Sequence, residues 1–298
     1  MHPKSPLTMQ QSSVFIDSEV LLDDRKFAEA MLLKKDKAGL SRADMVFVLR
    51  NLLRLKYYPV AVKFFYDEAE VEKFKAEHEY LVACNPFTFC HFCAESRQKG
   101  DVLFGERRTL GCSNARYLFG WKDYDENEIK SHMKYVKDRE QAERFVKTKP
   151  RLPEGLLAFA TAPLHKAKFE PDLVFIICDV LQSYHLYNDY AAAMDVHPIR
   201  PNFMMNSAAC GGAVWSYVEN TINIVPMCSG SYTAGKTEQG EINVFIPWAH
   251  FEKLVVRLLE RTASQGGASF PRTGETYPGF DICKLCNFLL FRKPKEDE

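Results

Sequence analysis

Residues 173–180 read LVFIICDV, an almost continuous apolar run with one charge near its end. A half-buried strand alternates polar and apolar positions, whereas a run this apolar suits a strand covered on both faces of a sheet. Glu170, Pro171 and Asp172 turn the chain into it, and LQSYHLYNDYAAAM directly after it has the composition of a helix. A central strand entered by a turn and followed by a helix sets the expected class as α/β, with a mixed sheet flanked by helices.

The rest of the chain fits that frame. Residues 17–35 repeat apolar positions near helical period, and SRADMVFVLRNLLRL opens a second helix with Ser41 and Asp44 spaced as a capping box. VAVKFFY, LLAFATAPL, INIVPM and INVFIPW read as strands, rich in β-branched and aromatic residues. Residues 67–78 read as helix, as does most of 114–148, with a break in WKDYDENE; HFEKLVVRLLERTA is amphipathic. No long linker or internal repeat divides the chain. The expected organisation is a helical extension over 1–45, an α/β domain over 46–265, and a cysteine-containing tail over 266–298 packed on that domain. Cysteines are expected in loops at strand and helix ends. The pattern does not set strand order.

The 39 basic and 39 acidic side chains cancel among 298 residues. That balance gives no field for capturing a polyanion, so nucleic acid is not an expected partner. The N-terminal stretch lacks a secretory pattern, and no apolar run is long enough for a membrane span. A cytoplasmic location is therefore expected, where thiols stay reduced. Nine cysteines then point to metal or redox chemistry rather than disulfides.

Their spacing supplies candidates. CNPFTFCHFC holds Cys84, Cys90 and Cys93, and Cys112 follows in GCSNARYLFG. Four thiolates suit a tetrahedral zinc or a cubane iron–sulfur cluster, and the irregular spacing favours a [4Fe-4S] cluster over zinc. Cys210, beside Gly211 and Gly212, and Cys228, after a strand, compete with Cys84 for the fourth position. Cys283 and Cys286 form a second CxxC in the tail, while Cys178 within LVFIICDV reads as a core thiol.

YYPVAVKFF, FCAESRQKG, GCSNARYLFG, PDLVFIICDVLQSYHL and GEINVFIPW resemble the family called domain of unknown function 169, a cysteine-rich family also named ArCR. The resemblance runs from about Leu52 to Leu259. It implies an iron–sulfur centre around Cys93 and Cys112 but no particular reaction; the matching stretches do not include Cys84, Cys283 or Cys286.

Other residues complete the reading. GSYTAGKT, residues 230–237, spells a phosphate loop, yet its Lys–Thr leads into a strand instead of a helix. Lys236 is instead a point charge for an anionic substrate group. His185 and Asp189 lie four apart on one expected helix face, the spacing for an Asp-oriented acid/base pair. His91, Arg97, Arg107, Arg108 and Arg116 surround the cysteines, as do rings such as Phe89, Phe92, Phe119 and Trp121. The expected function is an iron–sulfur oxidoreductase or dehydratase acting on a small aromatic or anionic organic substrate, with an electron donor protein as a possible partner. The alternatives are an electron-transfer or maturation partner and a zinc-stabilised small-anion binder.

Overall fold

The computed structural model describes Val20 and residues 23–266. Helices α1 (Asp24–Ala38) and α2 (Arg42–Leu52) precede strand β1 (Val60–Phe65), α3 (Glu68–Glu77) and the short β2 (Leu81–Val82). Next come α4 (Phe89–Gln98), β3 (Leu103–Glu106), α5 (Ser113–Leu118), α6 (Glu126–Met133) and α7 (Arg139–Lys147). The second half runs β4 (Ala158–Pro163), β5 (Leu173–Asp179), α8 (Val180–Met194), α9 (Ala209–Glu219), β6 (Asn223–Pro226), α10 (Ser229–Thr233), β7 (Glu241–Pro247) and α11 (Trp248–Gln265). Among the described residues, no helix is long and apolar enough to cross a membrane.

The strand order that sequence left open is β2-β3-β4-β1-β5-β7-β6. β2 and β3 are parallel and every other pair is antiparallel, so the sheet is mixed, as expected. LVFIICD forms β5 between β1 and β7, which explains its lack of polar alternation, and Val180 opens α8.

Successive side chains on a strand point to opposite faces, and both faces here are buried. Ala61, Phe65, Val174, Ile176, Val244 and Ile246 join one core, which also contains residues of α1, α2, α3, α8 and α11. Val60, Val62, Phe64, Phe175, Val225 and Phe245 join the other, under α4, α5 and α9. Helix starts follow local chemistry: Ser41 and Asp44 form the anticipated capping box of α2, and Asp179 caps α8 with Gln182 reciprocating.

An aromatic cluster seats α4 and α5 on their sheet face. The Phe159 ring lies 4.9 Å from Phe92, 5.7 Å from Phe89 and 5.5 Å from Phe119, centroid to centroid, each edge-on. Gly105 makes room for it, since a Cβ there would stand 2.2 Å from the Phe159 ring. Gly212 plays the same part for α9: a Cβ would meet the Phe245 ring at 2.5 Å, so this glycine permits close helix–sheet packing.

Candidate functional site

On the α4, α5 and α9 face, four cysteines distant in sequence line one cavity of about 250 Å³. Each stands at a helix start and not in an open loop. Cys90 is the second residue of α4, Cys112 precedes α5 as its N-cap, Cys210 is the second residue of α9, and Cys228 is the N-cap of α10. Among the described residues, α4 and α9 have no side chain capping their first amides. By contrast α1, α2, α3, α6, α7 and α8 are capped by Asp or Ser. The first turn of a helix has no internal acceptor for its N–H groups, so these starts leave donors for another acceptor.

Lys236 reaches the cavity through the GSYTAGKT stretch. α10 ends in a Schellman turn: Gly235 adopts φ +66°, its N–H donates to the Tyr232 carbonyl at 3.0 Å, and the Lys236 N–H donates to the Ser231 carbonyl at 3.0 Å. The chain then enters β7, so the phosphate-loop spelling has no phosphate-loop structure. The Lys236 ammonium donates to Thr88 Oγ1 at 2.7 Å and lies 3.6 Å from Cys90 Sγ; Thr88 Oγ1 is itself 3.1 Å from that sulfur.

Arg97, one of the charges that surround the cysteines in the sequence, fixes this loop. It is 1% exposed, holds Glu241 through two hydrogen bonds of 2.9 and 3.0 Å, and donates to the Lys236 carbonyl at 2.9 Å. Its guanidinium also stacks 4.5 Å above the Tyr57 ring.

A second lysine, absent from the sequence reading, ties the site together from below. Buried Lys149 donates to Asn114 Oδ1, the Met205 carbonyl and Ser207 Oγ at 3.1, 2.8 and 2.7 Å. All three acceptors are neutral, and burial brings its ammonium down to about 8. Burial pushes the Cys112 thiol up and the Cys210 thiol well up. Among the described residues, the cavity wall carries Lys134 and Lys236 and no Asp or Glu.

The expected metal centre is not what the cysteines form. Among the described residues, no group of three or more His, Cys, Asp or Glu side chains is arranged to hold a metal ion. That finding removes the basis for a [4Fe-4S] cluster and for zinc. With them go the iron–sulfur oxidoreductase or dehydratase, the cluster-based electron-transfer or maturation partner, and the zinc-stabilised binder. The thiols ring a cavity from separate helix starts, and the near pair Cys90 and Cys93 is divided: Cys93 is fully buried in the core with Phe89 and Phe92. Cys84 is exposed and does not line the cavity, and Cys178 is buried in β5 on the opposite sheet face. Cys283 and Cys286 lie outside the described residues.

His185 and Asp189 lie on α8, which packs on the other sheet face, and neither lines the cavity with Lys236. Asp189 accepts two hydrogen bonds from Arg261, at 2.7 and 2.8 Å. His91 stacks on Phe87 with ring centroids 4.6 Å apart. The exposed Arg108 pairs with Glu106 at 2.9 Å.

The profile of domain of unknown function 169, described as uncharacterised ArCR, matches residues 48–257. That span contains all of β1 to β7 and the four cavity cysteines. No curated protein and no solved structure matches the chain. With most of its length matched, the chain belongs to the family of domain of unknown function 169.

Proposed function

We propose that the cavity binds a small organic anion, with Lys236 as the charge that meets it. The observation carrying this reading is the cavity wall itself, which among the described residues bears two lysines and no carboxylate to neutralise them. Uncapped amides of α4 and α9 add donors, and the N-terminal dipole of each helix favours negative charge beside the lysine. Buried Lys149, whose hydrogen-bond partners among the described residues are neutral, adds positive charge beneath the site, with Glu128 as the nearby carboxylate.

An adjoining cavity of about 240 Å³ shares Cys228, Ser229 and Asn206 with the first and is walled by Phe203, Met204, Met205 and Met227. Flexible thioethers accommodate varied apolar shapes, so this annex suits the hydrocarbon or aromatic part of the same ligand. A cytoplasmic setting belongs to the same reading, because a reducing compartment keeps the thiols free.

Melting of the full chain with succinate and benzoate, compared with succinamide and benzamide, tests the proposal. The acids should raise Tm and the uncharged amides should not, because only the acids compensate the ammonium. Equal effects from acid and amide, or none from any acid in a wider aliphatic and aromatic panel, would contradict it.

A further inference from the structure

We infer that Cys90 is the nucleophile of the pocket and that the electrophiles it captures covalently are small carboxylic acids bearing a leaving group on the carbon beside the carboxylate. This inference rests on the anion-binding reading and deepens it.

The four cavity thiols are not equivalent. Burial pushes the Cys112 thiol up and the Cys210 thiol well up. Cys228 has Ser231 Oγ at 3.4 Å. Cys90 is partly buried, as Cys112 and Cys228 are, but has both an ammonium and a hydroxyl beside its sulfur, Lys236 Nζ at 3.6 Å and Thr88 Oγ1 at 3.1 Å. A thiolate is the reactive form of cysteine, and the Cys90 sulfur stands at a helix start with a cation facing it. The same ammonium attracts the carboxylate of an incoming acid, which brings the adjacent carbon toward the sulfur. One lysine thus serves both the nucleophile and the binding of its target.

The step is a displacement. Sγ gives its electron pair to the α-carbon, the S–C bond forms as the bond to the leaving group breaks, and that group departs with its electron pair. The thiol proton passes to water. No oxidant, reductant or metal enters the balance.

Iodoacetate is the probe, with iodoacetamide as its uncharged counterpart and iodide as the leaving group in both. Exposed Cys84 is an internal reference in the same chain. Intact protein is alkylated briefly with each reagent, digested, and the rate at every cysteine read by mass spectrometry. The iodoacetate-to-iodoacetamide rate ratio at Cys90 should exceed that at Cys84 by about tenfold or more, the sign expected of a partly buried charge pair. In Lys236→Met the ratio at Cys90 should fall to that of Cys84. Should that variant not fold, the ratio in the unaltered chain still decides.

Equal ratios at Cys90 and Cys84 would overturn the inference, as would an iodoacetate preference located at Cys112, Cys210 or Cys228. If acids raise Tm while Cys90 shows no preference, the nucleophile assignment fails and anion binding stands. If acids do not raise Tm and the preference is also absent, both fail.

Discussion

The ammonium of Lys236 lies 3.6 Å from the sulfur of Cys90, two residues separated by 146 positions in the chain. Sheet topology makes that meeting possible. Lys236 stands just ahead of β7, Cys90 at the start of α4, and Arg97 on the same α4 reaches across to the Lys236 carbonyl and to Glu241 of β7. A lysine on a turn is ordinarily mobile; this one has its side chain held by Thr88 and its backbone held by Arg97.

Arg97→Lys is expected to loosen that arrangement without removing the charge. A lysine cannot reproduce the paired hydrogen bonds to Glu241 together with the bond to the Lys236 carbonyl. Arg97→Met is harsher, because it leaves Glu241 partly buried and unpaired, a change that costs about 3–5 kcal/mol. Denaturant unfolding should rank wild type above Arg97→Lys above Arg97→Met, and succinate should protect both variants less than wild type. Equal protection would show that Lys236 does not depend on this clamp.

Gly235 offers a subtler perturbation. Among the described residues nothing lies within 4 Å of a Cβ built there, so the cost of Gly235→Ala comes from its φ of +66°. That conformation costs a non-glycine residue roughly 1–2 kcal/mol, less for Asn. The expected outcome is a small loss of stability and weaker anion protection in Gly235→Ala, with partial recovery of both in Gly235→Asn. Thermal melts with and without succinate provide the check.

Lys149 predicts a pH dependence. Its ammonium titrates at about 8 when folded and near 10.4 when unfolded. Between those values the unfolded chain binds more protons, so this group makes stability rise with pH. Below pH ~8 the folded chain carries the full burial penalty, about 3 kcal/mol. Lys149→Met lacks the titration, so wild-type stability should gain about 2 kcal/mol relative to the variant between pH 7 and 9.5. Urea unfolding at both values measures the gap; a constant gap would contradict the buried charge.

The Asp189–Arg261 pair separates stability from function. Asp189 is 2% exposed and its two oxygens are occupied by Arg261. Asp189→Ala should therefore cost about 3–5 kcal/mol. Because α8 packs on the sheet face opposite the cavity, alkylation at Cys90 in the folded variant should be unchanged. Altered Cys90 chemistry would tie this pair to the site.

LVFIICDV, the Ser41–Asp44 cap and the strand flanked by GSYTAGKT are legible because their causes are local: burial pattern, capping geometry and a glycine turn. Strand order is not, because antiparallel partners such as β1 and β5 are chosen by contacts far apart in sequence. Cysteine spacing suggested shared coordination, but helical geometry divides Cys90 from Cys93. Phe89, Phe92 and Cys93 occupy positions i, i+3 and i+4, the pattern of one apolar face, and that signal was available in CNPFTFCHFC. Lys236 was identifiable as a point charge once its stretch failed the phosphate-loop context. Lys149 gave no sign, since its three acceptors come from α5 and from the segment leading into α9.

Calorimetric titration of succinate into wild type and Lys236→Met is the most direct measurement of the central claim that Lys236 binds an organic anion in the thiol-lined cavity. A hydrogen bond to a charged group contributes about 1.5–3 kcal/mol, so the variant should bind at least about tenfold more weakly. Equal affinity in the two proteins would contradict the account.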